Sequence, residues 1–498
     1  MSAELEARMG VPTVHRLGRR ALSLGAANAI DYALQFLVPV VLVRFLDTAA
    51  FGQYRLLGLA VGTVMAVVTM AVPGSLYYFL PRSEGAAKRL YINQALVFLA
   101  AAGLIAAWAV SSWNPWLPEK MRGLAQHEAI VPVFVLLWVV ASLLDLLPAV
   151  EERVMWQAKA TVGLAALRAV ALSLAAILTR ELGPVLLVLL AFVAFKVALL
   201  LGYGAAHHGL RGPILRWSAF ADQLRYAAPI GAAGALYGLR SQADQWVAAA
   251  LFSVGMFASF SIATVLGPLV HLCRQSVFHT FLPSLSRLQA AGDIPGMLKL
   301  NSRASVMVGA LVYPLLAFAF VFAEEIVTII YTAAYVDAAP VMRVFIVGFA
   351  GLVVDLGSTM LVLRQGVFIM RVSLVTLALS VALSWFSAHA FGLAGAAVGS
   401  VTAIYVDYIV ILRRLALCTG VPVRQLKDWR TLGLLILFAA LAAAIAWSIV
   451  DLYFSASGPL ARVIAGGTLV AAVYAAMAAS VGIGRGWLAA VRNSERGS

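Results

Sequence analysis

The sequence predicts an all-α integral membrane protein with about fourteen transmembrane helices, arranged as two six-helix pseudo-symmetric halves and two C-terminal helices. The first reason is composition: 63% of the 498 residues are hydrophobic and 12% are charged, whereas a soluble domain has about 25% charged residues. The second reason is a series of apolar runs of roughly 20 residues, the length of a helix that crosses about 30 Å of hydrocarbon. Such runs are too long for the strands of a membrane barrel, so we expect helices.

Fourteen apolar runs are long enough to be spans. In chain order they are 21–43, 56–79, 91–112, 129–150, 160–179, 184–203, 226–250, 256–280, 304–323, 341–362, 366–387, 392–411, 432–450 and 461–482. The run at 21–43 is too long for a cleaved signal peptide, so we interpret it as the first span. Only the turn from Thr179 to Pro184 separates the fifth span from the sixth.

The distribution of charge predicts the orientation. The chain has 36 Lys and Arg against 22 Asp and Glu, a formal net charge of +14, which basic cytoplasmic loops explain without a nucleic-acid partner. With a cytoplasmic N-terminus the inside segments hold about 25 Lys and Arg and the outside segments about seven, so we expect both termini to be cytoplasmic. No loop exceeds about 22 residues, which leaves no room for an extramembrane catalytic domain, and Cys273 and Cys418 have no disulfide or metal-ligand spacing.

The chain contains weak internal repeats, which predict two halves in the same orientation. Three pairs of segments match at nearly one offset: Leu46–Tyr54 with Phe252–Phe260, Phe79–Pro81 with Phe281–Pro283, and Leu143–Leu146 with Val353–Leu356. The predicted organisation is a cytoplasmic N-terminal segment (1–20), a six-helix half (21–203), a cytoplasmic linker (204–225), a second six-helix half (226–411), a basic cytoplasmic loop (412–431), two extra transmembrane helices (432–482) and a cytoplasmic tail (483–498).

Four motifs at the ends of the spans carry a family resemblance. They are Val43–Asp47 with Phe51–Tyr54, Phe281–Leu288 with Gly292 and Asp293, Glu324–Ile326 with Tyr331, Tyr335 and Ala338–Pro340, and Phe391–Gly399. Together they resemble the turns of the polysaccharide (lipid-linked oligosaccharide) flippase family of the multidrug/oligosaccharidyl-lipid/polysaccharide exporter superfamily, over most of residues 15–415. Asp47 and Tyr331 depart from the family pattern, since glycine is usual at both places. The motifs are scaffold turns, so they bear on the fold more than on the substrate.

The resemblance implies a flippase, not an enzyme, in the bacterial inner membrane. Its substrate would be a polyprenyl-diphosphate-linked oligosaccharide, moved by alternating access from the cytoplasmic to the periplasmic leaflet for exopolysaccharide, capsule or O-antigen assembly. Its surroundings would be membrane lipid, and its functional partners a polysaccharide polymerase and glycosyltransferases. No cofactor is expected, and because no Walker motif is present we expect a gradient of H⁺ or Na⁺ to supply the coupling.

Four cations inside the spans are candidate substrate-binding residues: Arg168, Lys196, Arg240 and Arg274. A charge at the centre of a spanning helix costs about 2.5–3.5 kcal/mol on insertion scales, so each is a functional hypothesis by default. The first three lie near the predicted midplane and suit a cationic cavity for a diphosphate, which guanidinium groups bind through paired hydrogen bonds. The alternatives are an ion pair of Arg240 with Asp244, a snorkelling Arg168, and an interfacial anchor at Arg274.

Five residues are candidates for ion coupling: Asp31, Asn28, Asp355, Asp145 and Asp407. Asn28 lies about one turn before Asp31, so an amide oxygen and a carboxylate share one helix face, as an H⁺ or Na⁺ site requires. The alternative for Asp31 is the counter-ion of a cavity arginine. Asp145 and Asp355 occupy equivalent repeat positions, which suits either paired coupling sites or a symmetric packing role.

Two other function classes compete. An ion-coupled multidrug antiporter of the same superfamily should have an acidic, aromatic-lined cavity, whereas three midplane cations against one central acid favour an anionic substrate. An integral-membrane polysaccharide polymerase usually needs a long outer loop with acids or paired arginines. The longest outer loop here is short and carries few charges, chiefly Glu119, Lys120 and Arg122.

Overall fold

The structure is a computed structural model that describes residues 14–115, 129–209 and 212–480. Most of the predicted N-terminal segment, Glu119, Lys120 and Arg122 of the outer loop, and the predicted tail lie outside the described residues. Within the described ranges all regular secondary structure is helical. Helices satisfy their own backbone hydrogen bonds, as a segment in hydrocarbon must. The predicted all-α membrane class is thereby confirmed.

The chain forms two compact units, residues 1–242 and residues 243–498. The helices of unit 1 are α1 (Val14–Phe45), α2 (Thr48–Val68), α3 (Val72–Phe79), α4 (Gly85–Ala109), α5 (Ile130–Ala141), α6 (Leu147–Val150), α7 (Val154–Thr179), α8 (Leu182–His208) and most of α9 (Trp217–Leu251). The division falls inside α9, after the predicted linker at 204–225. The finer domain boundaries stay predictions.

Unit 2 contains the end of α9 and ten further helices. These are α10 (Val254–Ala263), α11 (Gly267–Ala290), α12 (Ile294–Val321), α13 (Ala323–Tyr331), α14 (Ala338–Leu352), α15 (Gly357–Val362), α16 (Gly366–Thr419), α17 (Val423–Leu426), α18 (Trp429–Tyr453) and α19 (Pro459–Ser480). Short helical turns at Ser142–Asp145 in unit 1 and Ala333–Tyr335 in unit 2 connect neighbouring helices.

The helices account for the fourteen predicted spans. Among the described residues, 11 helices are long and apolar enough to cross a membrane, with α16 counted once. The backbone of α16 reverses at Gly392, where φ is 64° and ψ is −146°. A Cβ atom at Gly399 would collide with the backbone of Ser384, so the two arms of α16 pack side by side and form two spans. The remaining two predicted spans, 226–250 and 341–362, coincide with the 35-residue α9 and with the broken pair α14 and α15, which are not among those 11 helices.

The internal repeat is visible in how equivalent helices begin. Asp47 caps α2 by accepting a hydrogen bond from the backbone N–H of Ala50. Ser253 caps α10 in the same way, accepting from the N–H of Met256. Aspartate and serine are preferred at this position because their side-chain oxygens satisfy N–H groups that the first helical turn leaves open. The aspartate that departs from the family pattern therefore has a local structural role.

Helix breaks occur at corresponding places in the two units. In unit 1 the chain leaves α2 through Met70 and Ala71, both with positive φ (45° and 54°), before α3 resumes the predicted span at 56–79. Asp145 lies at the end of the short turn between α5 and α6, and Asp355 lies between α14 and α15. The predicted correspondence of Asp145 and Asp355 thus extends to their backbone setting, since both interrupt a spanning segment.

Candidate functional site

The deep arginine of α7 is paired with the acid of α1. Nη2 of Arg168 lies 3.3 Å from Oδ1 of Asp31, and Nε2 of Gln35 donates to Oδ2 of Asp31 at 2.7 Å. Neither charged side chain is fully buried. The structure therefore brings together one predicted substrate-binding residue and one predicted coupling residue, as the counter-ion alternative for Asp31 describes. Asn28 lies on the same helix on an exposed face.

The lysine of α8 is paired in the same manner. Nζ of Lys196 lies 2.7 Å from Oδ1 of Asp145 and donates to Oδ2 at 2.8 Å. The ammonium group also lies 5.5 Å from the centre of the Trp138 ring, within reach of a cation–π interaction. The Lys196 side chain is 10% exposed and the Asp145 side chain 59%. The solvent-accessible carboxylate of Asp145 thus neutralises the largely buried ammonium group of Lys196.

The other two candidate cations lie on other helices. Arg240 is half-buried on α9. Arg274 is half-buried on α11, where its Nη2 lies 3.3 Å from Nδ1 of His271, one turn before it. Both stay candidates for substrate binding.

In unit 2 the candidate acid Asp355 lies beside a buried lysine. Lys427 precedes α18, is 4% exposed, and donates to Oδ1 of Asn301, to Oγ of Ser305 at 3.1 Å and to the carbonyl oxygen of Asp355 at 3.0 Å. The carboxylate of Asp355 accepts from the N–H of Ser358 at 3.2 Å. Burial lowers the pKa of Lys427 to about 7, with the charge of Asp355 opposing that shift. Asp407 is buried on the second arm of α16.

A polar cluster around Glu151, which the sequence did not single out, joins three segments of unit 1. The Glu151 carboxylate lies 3.2 Å from Nζ of Lys88 and 2.8 Å from Nε2 of His208, and it accepts from the hydroxyl of Tyr203 at 2.6 Å. Burial alone would raise the pKa of Glu151, but these hydrogen bonds and the charge of His208 lower it to about 2. Lys88 is on α4, Glu151 follows α6, and the other two residues end α8, so the cluster fixes these helix ends together.

Chemically, the Arg168–Asp31 and Lys196–Asp145 pairs are charge-compensated sites within spanning segments. Arg168 and Lys196 each have a carboxylate within 4 Å, which reduces the cost of placing these cations in a membrane. Within the described residues no group of three His, Cys, Asp or Glu side chains has the arrangement of a metal site.

Comparison with known proteins identifies the family of the chain. The family model described as polysaccharide biosynthesis protein matches residues 41–340. The chain belongs to the polysaccharide biosynthesis protein family. The family resemblance found in the loop motifs is therefore confirmed. No relative among curated proteins matches the sequence.

Solved structures show the fold of this chain. The lipid II flippase MurJ in an inward closed conformation matches with a TM-score of 0.67 at 11% identity, covering 92% of this chain and 99% of that one. An inward-facing multidrug resistance MATE family transporter of the MOP superfamily matches with a TM-score of 0.59 at 12% identity, covering 80% and 99%. A mutant of the Vibrio cholerae MATE transporter VcmN matches with a TM-score of 0.52 at 12% identity, covering 82% and 98%. At these identities the likeness establishes the transporter fold.

Proposed function

We propose that this protein is a flippase, not an enzyme, that moves a polyprenyl-diphosphate-linked oligosaccharide from the cytoplasmic to the periplasmic leaflet by alternating access. Membership of the family supports a role in polysaccharide assembly. The fold shared with a protein named as a lipid II flippase supports translocation of a lipid-linked substrate. On this proposal the protein lies in the bacterial inner membrane with both termini cytoplasmic, and supplies a polysaccharide polymerase with units built by glycosyltransferases.

The observation that carries the proposal is the pair of compensated cations in unit 1. Arg168 and Lys196 each meet a carboxylate, and Asp145 is mostly exposed. A diphosphate carries more negative charge than one carboxylate and offers more acceptor oxygens to a guanidinium or ammonium group. We therefore expect the substrate diphosphate to displace Asp31 from Arg168 and Asp145 from Lys196, with Arg240 and Arg274 as the further candidate contacts.

The same exchange suggests how an ion gradient is coupled to transport. When the substrate binds the cation of such a pair, the carboxylate that remains has no counter-ion and is partly shielded from water. A carboxylate in this environment readily binds H⁺ or Na⁺. Asp31 is the first candidate, with Asn28 and Gln35 on its helix as neighbouring amide groups. Asp145, Asp355 and Asp407 are the other candidates for coupling.

A second candidate function is an ion-coupled multidrug antiporter. The MATE transporter fold favours it, as does Asp31, a carboxylate that accepts a hydrogen bond from Gln35 on the first helix. An antiporter of cationic drugs would use Asp31 to bind its substrate directly. Replacement of Asp31 by Asn should then abolish drug binding, whereas in a flippase the same change should leave diphosphate binding intact.

The proposal is tested by the affinity of the purified protein in nanodiscs for a polyprenyl diphosphate carrying a short oligosaccharide. Arg168→Ala and Lys196→Met should each weaken binding by about tenfold or more, because a charge-assisted contact is worth roughly 1.5–3 kcal/mol. Arg225→Ala is the matched control, since Arg225 is an exposed cation of the same unit paired with Asp222. Equal affinity in all four proteins, or tight binding of a cationic dye that Asp31→Asn removes, would contradict the flippase proposal.

A further inference from the structure

Unit 2 contains a basic pocket beside the junction of α15 and α16. The cavity has a volume of about 310 Å³, at the lower end of the range for small-molecule sites. It is lined by Arg364, Gln365, Val367, Phe368, Arg371 and Arg414. The lining thus contains three guanidinium groups, an amide and two apolar side chains, with no carboxylate among these described residues. We call this set the arginine pocket.

One wall of the arginine pocket is held in place by neutral partners. Nε and Nη2 of Arg414 both donate to Oε1 of Gln365, at 3.1 and 3.0 Å. The guanidinium carbon of Arg414 lies 5.0 Å from the centre of the Phe368 ring, where a cation–π interaction contributes. Because neither partner carries a negative charge, Arg414 is oriented without being neutralised.

A second wall is formed by an arginine in an unusual backbone conformation. Arg364 has φ of 57°, in the left-handed region that favours glycine. The chain ends α15 there, with the N–H of Arg364 donating to Leu361 O at 3.0 Å and the N–H of Gln365 donating to Met360 O at 2.9 Å. Glycine is the usual residue at such a helix end. Strained backbone of this kind concentrates at functional sites, and here it places a guanidinium at the pocket.

Two more features make the pocket attractive to an anion. Helix α16 begins at Gly366, and no side chain caps its N-terminus within the part of the chain that the structure describes. The open N–H groups and the helix dipole make such an end favourable for phosphate groups. In the described ranges neither Arg364 nor Arg371 forms an ion pair with a carboxylate.

We propose that the arginine pocket binds a phosphate-bearing anion, either a phosphomonoester or a diphosphate group. Arginine forks match phosphate oxygens through paired hydrogen bonds, and three of them around one small cavity suit a group with more than one negative charge. The anion has two chemical sources, the headgroup of an anionic phospholipid or a soluble phosphate compound. The proposal does not rest on the proposed function, since the pocket is lined by none of the candidate substrate contacts Arg168, Lys196, Arg240 and Arg274.

The test is binding by the full-length protein in phosphatidylcholine nanodiscs. The soluble probe is inorganic diphosphate, followed by titration calorimetry. The lipid probe is phosphatidic acid added to the nanodisc, followed by native mass spectrometry of retained lipid. The variants are Arg371→Gln and Arg364→Gly, and the second also relieves the positive-φ strain, so a loss of binding in it cannot come from a destabilised fold. The matched control is Arg413→Gln, a neighbouring exposed arginine that does not line the pocket.

The expected result is that one of the two probes binds the wild type and the control equally, and binds both pocket variants at least about tenfold more weakly. Loss confined to diphosphate would identify a soluble ligand, and loss confined to phosphatidic acid would identify a lipid headgroup. Either result supports the proposal that the arginine pocket binds a phosphate-bearing anion. Binding of neither probe to the wild type, or equal binding by the pocket variants, would overturn the proposal.

Discussion

The Lys196–Asp145 pair is expected to respond asymmetrically to mutation. The two side chains meet through both carboxylate oxygens, yet Lys196 is 10% exposed and Asp145 is 59% exposed. In Asp145→Ala a mostly buried ammonium loses its partner, which should cost about 2–3 kcal/mol, within the range for an uncompensated charge in a spanning helix. In Lys196→Met the remaining carboxylate is accessible to water, so the cost should stay within about 1 kcal/mol. The double variant should resemble Lys196→Met, so the coupling energy should equal the cost of Asp145→Ala, about 2–3 kcal/mol.

The assay is unfolding in mixed detergent micelles, followed by tryptophan fluorescence, for the wild type, both single variants and the double variant. Arg225→Ala again serves as a control, because its exposed pair should contribute less than about 1 kcal/mol. Strictly additive effects, or a larger loss in Lys196→Met than in Asp145→Ala, would refute the reasoning that burial of the cation sets the energetics of the pair.

Three further outcomes follow from the structure. Glu151→Gln should lower thermal stability at neutral pH. The stability difference between the wild type and this variant should be fully present above about pH 4.5 and shrink as the pH falls toward 2, because the pKa of Glu151 is lowered in the folded state. A difference that does not depend on pH would contradict this. The stability of the wild type relative to Lys427→Met should rise between pH 7 and 10.5, because in this range the unfolded chain binds a proton that the buried Lys427 has released. A difference in unfolding midpoints that stays constant over this range would exclude the lowered pKa of Lys427. Gly392→Ala should destabilise the protein by about 1–3 kcal/mol, since φ of 64° with ψ of −146° is a conformation that alanine rarely adopts. An unchanged melting temperature would count against the turn at this position.

The positions of the spans could be predicted because hydrocarbon thickness sets a length that apolar runs reveal directly. The start of the twelfth span at residue 392 was predicted in the same way, and Gly392 provides the turn. The candidate charges could be found because a charged residue inside an apolar run is visible in the sequence alone, and such a residue needs a partner or water in the membrane. Their partners could not be found, since Lys196 and Asp145 are 51 positions apart in the chain. From sequence a partner can be suggested only at helical spacing, as in the alternative that pairs Arg240 with Asp244.

Residues outside the spans were missed for a related reason. Glu151 and Arg364 lie at helix ends, where a charge has no insertion cost and looks like an ordinary loop residue. The sequence does carry a signal for Glu151, because this acid directly follows a helix break that contains a proline. For Arg364 the sequence carries no signal, because the positive φ follows from how α15 ends and not from the residue type. The roles of Glu151 and Arg364 therefore depend on tertiary contacts and backbone conformation, which sequence patterns do not predict.

The central claim is tested most directly by the rate at which a fluorescent polyprenyl-diphosphate-linked oligosaccharide changes leaflet in proteoliposomes. The measurement is the fraction of label accessible to an impermeant quencher over time, with an imposed proton or sodium gradient. The account predicts gradient-dependent translocation by the wild type, strong loss in Arg168→Ala, and normal rates in Arg225→Ala. Wild-type proteoliposomes that translocate no faster than protein-free liposomes under either gradient, with correctly inserted protein, would contradict it.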